Sequence, residues 1–143
     1  NLFSKPILDR LELKDLNTLF SNYSITPQIL LLHDKTDYFL GPHTDHPDKL
    51  FVFLIYFESD VQSKDFNSFG TSIYVPNKIG FKCPTGVHHN NEDFLRVFGA
   101  DFKKNNAFAF CRSDISFHGV EKVQEKSIER KLLQYSLYGK LKQ

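Results

Sequence analysis

Leu50-Phe51-Val52-Phe53-Leu54-Ile55-Tyr56-Phe57 is an unbroken run of eight apolar residues, rich in aromatic and β-branched side chains and free of any turn former. Its length suits a strand better than a helix, and apolar residues on both parities describe a strand covered on both faces. The chain is therefore expected to be built around a central strand at residues 50–57. Fifteen Phe with no Trp and no Met point the same way, because aromatic side chains favour a β-rich core.

Working upstream, Asp45-His46-Pro47-Asp48-Lys49 is a polar loop with a proline, and before it stands Gly41-Pro42-His43-Thr44-Asp45. A histidine and a carboxylate two positions apart point to the same side of an extended strand. They lie at a strand end beside a loop, where functional groups are commonly placed. Two of the three ligands of a 2-His-1-carboxylate Fe(II) site would then face one point. The candidate third is His118, in Ser116-Phe117-His118-Gly119-Val120, within a strand expected at 115–123. Further upstream, residues 29–32 read as a short buried strand running into a polar turn at 33–37, and 22–27 as a loop. Apolar positions spaced by three and four over 6–20 predict one amphipathic helix, packed outside a sheet.

Downstream, 58–69 is polar and loop-like, and Gly70 precedes a strand at 71–75 that Pro76-Asn77 stops. Residues 80–91 have no clear period and suggest an irregular excursion. Its His88-His89 pair reads as solvated or as part of a substrate lip. Short strands follow at 95–98 and 107–110, then the one carrying His118, then a polar stretch at 124–129. In the last strand, 130–138, parity puts Lys131, Leu133, Tyr135 and Leu137 on one face. Arg130, Leu132, Gln134 and Ser136 lie on the other, suited to a polar cavity. Eight or so short strands preceded by one helix describe a mainly β chain, an antiparallel sandwich or jelly roll of the cupin kind.

At 143 residues the chain fits a single domain, 1–143, and its 41% hydrophobic content supports one continuous core. A net charge of +1 from 18 basic and 17 acidic residues creates no global field, which argues against nucleic acid or an anionic membrane as partner. The apolar runs fall far short of the roughly 20 residues a membrane helix needs, and no signal-peptide pattern opens the chain. A soluble, cytoplasmic protein is expected. Cys83 and Cys111 lie in no CxxC pair and read as free thiols in a reducing compartment. The sequence starts at Asn1 without a Met, which suggests a trimmed chain whose upstream helix is missing.

With Pro42-His43-Thr44-Asp45, the Leu54-Ile55-Tyr56-Phe57 strand, Gly70 before 71–74, Phe117-His118-Gly119-Val120 and Arg130 in that order, the sequence resembles the Fe(II)- and 2-oxoglutarate-dependent oxygenase superfamily, nearest to its prolyl 4-hydroxylase-like branch. The resemblance runs over about 29–138. It implies a double-stranded β-helix with Fe(II) held by His43, Asp45 and His118, and 2-oxoglutarate and O2 on the remaining coordination positions. It also implies that Arg130 anchors the far carboxylate of 2-oxoglutarate, a task for which a planar, permanently charged guanidinium is suited. Tyr56 matches a position that donates to that carboxylate in related hydroxylases, and His33 lies near one where relatives often have a cosubstrate-facing tyrosine. Leu132 departs from the small polar residue that many relatives carry two places after the arginine. Asp45 itself argues for hydroxylation, since halogenating relatives lack the carboxylate.

The expected activity is a dioxygenase that decarboxylates 2-oxoglutarate to succinate and CO2 while hydroxylating a C–H bond of a small-molecule or peptidyl substrate. The alternative is a catalytically silent, cupin-like metal- or ligand-binding module. Loops 58–69 and 80–91 would carry the specificity.

Overall fold

The computed structural model describes residues 2–35, 37–57, 69–122 and 129–143. Two short helices, α1 (Ser4–Arg10) and α2 (Leu16–Asn22), precede β1 (Tyr23–Asp34), β2 (Leu40–His43), β3 (Lys49–Tyr56), β4 (Ser72–Pro76), β5 (Phe94–Gly99), β6 (Ala107–Cys111), β7 (His118–Val120) and β8 (Arg130–Leu141). The chain is thus mainly β. Its strands form two antiparallel four-stranded sheets, ordered β1-β8-β3-β6 and β2-β7-β4-β5.

The apolar run that predicted a central strand is β3, hydrogen-bonded to β8 on one side and β6 on the other. Its burial alternates strictly: Leu50, Val52, Leu54 and Tyr56 are buried, and Phe51, Phe53 and Ile55 half-buried. Burying each of the inner side chains stabilises the fold by roughly 2 kcal/mol. Val52, Leu54 and Tyr56 join Phe69, Ala100, Phe102 and Leu132 in one core cluster. The other face of β3 is only partly covered, so the expectation of full cover on both faces is corrected. There Phe51 packs beside the N-terminal helices, in a second cluster with Ile7, Leu19 and Leu50.

Three further expectations are corrected. The single helix over 6–20 is two helices, because Asp15 caps a new one: its carboxylate accepts from the Thr18 backbone N–H at 2.7 Å. The turn between them, with Glu12 at φ 55°, lets Leu8, Leu11, Leu13 and Leu16 all reach the same cluster. The strand at 29–32 is part of the twelve-residue β1, an edge strand, and Ile29 and Leu31 point outward, exposed. Among the described residues the strand expected at 115–123 is three residues long, since the Ser113 and Ser116 hydroxyls bind nearby backbone and hold the preceding segment in a turn; residue 123 lies outside the described residues. Residues 58–68 of the first polar loop and 124–128 of the last polar stretch lie outside the described residues. Both cysteines are free, and among the described residues no helix is long and apolar enough to cross a membrane.

The inner faces of the two sheets meet around a cavity of about 190 Å³, walled by side chains of β1, β2, β3, β6, β7 and β8.

Candidate metal centre

His43, the last residue of β2, stands opposite His118, the first residue of β7, in the antiparallel register. Asp45 follows two residues beyond the strand end. Gly119 makes this close approach possible, because a Cβ there would strike the backbone carbonyls of Leu40 and Gly41. The sheet thus brings together the three residues that the sequence singled out. Among the described residues they form a group whose ligand atoms all lie within 4.8 Å of one another, each side chain buried.

The two imidazoles are oriented alike. His43 Nδ1 donates to the Gly41 carbonyl and His118 Nδ1 to the Ser116 carbonyl, both at 2.9 Å. A carbonyl only accepts, so each Nδ1 carries the proton and each Nε2 keeps a lone pair for a ligand. Both rings favour the neutral state. Burial, reinforced by the neighbouring His118, pushes His43 down to about 4, and burial lowers His118 against the pull of Asp45.

Asp45 completes the set. One carboxylate oxygen, Oδ1, accepts from Lys49 Nζ at 2.6 Å in an ion pair that is almost fully buried. The other, Oδ2, is buried with no hydrogen-bond partner and lies 3.5 Å from His118 Nε2. A buried carboxylate oxygen left unmatched is costly and calls for an explanation. Two neutral Nε2 lone pairs and one orphaned anionic oxygen on the same point fit a divalent first-row metal ion, and three protein donors leave positions open for exogenous ligands.

The other histidines stay out of this group. His46 is exposed near Asp48. His89 turns into an aromatic cluster with Phe81, Phe94 and Phe117. Exposed His88 stacks on His43, ring centroids 4.3 Å apart and planes 7° from parallel.

The far end of the same cavity holds Arg130, 2% exposed. Its Nη1 donates to Asp34 Oδ2 at 2.5 Å and its Nε to the Phe69 carbonyl. The rings of Tyr38 and Phe102 lie 5.7 and 5.2 Å from the guanidinium carbon. Burial lowers the Arg130 pKa and raises that of Asp34, the cost of taking both charges out of water, while each charge pulls the other the opposite way.

Tyr56 reaches the cavity only through Thr71: its hydroxyl donates to Thr71 Oγ1 at 2.9 Å, and Thr71 lines the wall. His33 is not part of the lining. It faces outward, paired with Glu129 at 2.9 Å, because alternation along β1 gives the inner place to its neighbour Asp34. Sequence reasoning missed Asp34 and Lys49. Alternation from Leu32 would have placed Asp34, whereas Lys49 sits at a register shift in β3 that no periodicity reveals.

No family model matches the sequence, and no curated protein aligns with it. Among solved structures, a chain described under "Bacillus endospore appendages form a novel family of disulfide-linked pili" is similar, with 8% identity and a TM-score of 0.37, covering 81% of this chain and 88% of that one. A similarity that low assigns neither fold family nor function.

Proposed function

We propose that this chain is an Fe(II)- and 2-oxoglutarate-dependent oxygenase domain on a double-stranded β-helix, hydroxylating a small-molecule or peptidyl substrate and releasing succinate and CO2. The observation that carries the reading is the orphaned Asp45 Oδ2 beside two Nε2 lone pairs, in one cavity with a buried arginine. Eight antiparallel strands in two facing sheets suit a jelly roll, and the resemblance noted above supplies the reaction class.

In this reading His43, His118 and Asp45 hold the ion, and Lys49 fixes the carboxylate so that a single oxygen faces it. Fe(II), when bound, supplies chelation of a 2-oxo acid and the reducing power to activate O2. Arg130 and Thr71 grip the far carboxylate of the cosubstrate. Leu40, Phe110, Val120 and Leu132 line the wall between the two ends and exclude water from it.

The test is anaerobic titration with Mn(II) followed by electron paramagnetic resonance, then with 2-oxoglutarate by calorimetry, and succinate release with Fe(II) and O2. Mn(II) binding is expected in the native protein and its loss, by at least about 100-fold, in His118→Ala and Asp45→Ala, since even outer partners of metal ligands are worth 10- to 100-fold. A protein that binds neither the metal nor 2-oxoglutarate would end this reading.

One observation favours the second reading, a silent cupin-like module: the Arg130 guanidinium is already matched by the protein's own carboxylate. Metal binding without any 2-oxoglutarate affinity would select it.

A further inference from the structure

We infer that Asp34 is a specificity-determining residue of the cavity, setting how strongly Arg130 prefers a ligand with a second carboxylate. The inference rests on the proposed 2-oxo acid site but concerns a residue to which that proposal gives no role.

β1 and β8 pair without a break from Tyr23 opposite Leu141 to Asp34 opposite Arg130. Directly opposed residues of an antiparallel pair share a face and interact, so the Asp34–Arg130 contact at 2.5 Å is fixed by the two longest strands. Both side chains are nearly buried, 13% and 3% exposed, and both line the cavity.

A guanidinium grips a carboxylate bidentately along one of two in-plane edges, Nε with Nη2 or Nη1 with Nη2. The Phe69 carbonyl occupies Nε and Asp34 occupies Nη1, so each edge has one nitrogen engaged. The Tyr38 and Phe102 rings lie against the guanidinium. A ligand carboxylate must therefore share the guanidinium with Asp34, two like charges on one cation, or displace it. Counted over the cavity, the cations Lys49 and Arg130 are each matched by a carboxylate, Asp45 and Asp34. A metal adds positive charge at the Lys49 end only. The Arg130 end stays neutral, so a second carboxylate on the ligand gains far less there than it would from an unpaired arginine. Asp34 thereby narrows the gap between dicarboxylic and monocarboxylic 2-oxo acids.

Two arms test this in the full chain. The first uses glutarate without metal, a probe of the Arg130 end alone, against native protein and Asp34→Asn. The variant is expected to bind at least about tenfold more tightly, the effect of removing a like charge at contact distance. Equal or weaker binding, or no binding to either protein, would overturn the inference and make Asp34 a clamp that merely orients Arg130. The second arm compares 2-oxoglutarate with 2-oxovalerate, of the same chain length but with one carboxylate, on Mn(II)-loaded protein. Asp34→Asn should raise the ratio of their affinities about tenfold, through 2-oxoglutarate alone, and an unchanged ratio counts against the inference. If neither 2-oxo acid binds either protein, the oxygenase reading fails while the glutarate arm still decides the role of Asp34. Should Asp34→Asn not fold, as judged by circular dichroism, Asp34→Ser removes the same charge and takes its place.

Discussion

The two ends of the cavity carry the same device, a buried carboxylate on a buried cation, with opposite consequences. At one end Asp45 meets Lys49 at 2.6 Å, and at the other Asp34 meets Arg130 at 2.5 Å. Lysine is a point charge on a flexible stem and engages a single oxygen of Asp45, leaving Oδ2 buried, unmatched and next to His118. Arginine is a planar fork, and here its donors are divided between Asp34 and a backbone carbonyl, with aromatic rings against it. The first end leaves one carboxylate oxygen without a partner, and the second is nearly self-sufficient. Identical ion pairs by charge therefore differ in what the proposed function asks of them: to hold a metal at one, to exchange carboxylates at the other.

The comparison breaks most visibly when a cation is removed. Arg130→Leu leaves Asp34 charged, largely buried and without its partner. Breaking one side of a buried pair costs about 3–5 kcal/mol, and the partial exposure of Asp34 puts the expectation at the lower limit, about 3 kcal/mol, in urea unfolding. The double variant Arg130→Leu, Asp34→Leu should recover most of that loss, because well-packed apolar residues replace a buried pair at little cost. A double variant as unstable as the single one would mean that the Phe69 and aromatic contacts of Arg130, rather than its charge, hold this end together.

The contrast between the ends also measures what the sequence made legible. The grouping of His43, Asp45 and His118 was readable because its pattern is local: His43 and Asp45 are two positions apart, and His118 lies in a short apolar strand. Parity on β8 likewise sent Arg130, Leu132 and Gln134 inward, as the cavity lining has them. What escaped was pairing. Asp34 meets Arg130 only through the β1–β8 register, a relation between strands far apart in the chain, and the family resemblance pointed to His33 instead of its neighbour. The helix break at Asp15 was also written in the sequence as an Asp-x-x-Thr cap, but the leucine spacing runs through it and masked the stop. Lys49 was hidden by the register shift in β3, which brings it to the cavity wall although its parity is that of the outward Phe51 and Phe53.

At the Lys49 end the effect is smaller and can be divided between charge and hydrogen bonding. Lys49→Met removes the group that holds Asp45 Oδ1 and is expected to weaken Mn(II) binding about tenfold, the low end for outer partners of a ligand, because loss of the positive charge near the ion partly offsets the loss of orientation. Lys49→Gln keeps a donor without the charge and should stay within about threefold of the native affinity. If both variants bind equally well, Asp45 is positioned by its backbone rather than by Lys49, and the resemblance between the ends is coincidental.

The smallest effect expected is a slope in stability with pH, and its sign separates the ends. His43 titrates at about 4 in the folded protein against an ordinary 6.5. The unfolded chain therefore takes up a proton as pH falls through 6.5 while the folded one does not, and stability declines until about pH 4, where the folded state protonates too. For His43 alone the decline between pH 7 and pH 5.5 amounts to about 1 kcal/mol. His118, lowered for the same reason, adds in the same direction. Asp34 is shifted the other way, its carboxyl raised by burial, so its contribution is complete below the ordinary carboxylate range and is lost as pH rises through its folded pKa. Urea midpoints of metal-free protein should fall from pH 7 to pH 5.5, and His43→Gln should flatten the slope while Asp34→Asn, which removes an opposing contribution, leaves it at least as steep. A slope that survives both His43→Gln and His118→Gln unchanged would place the titrating group outside the centre and show that its imidazoles are not held neutral.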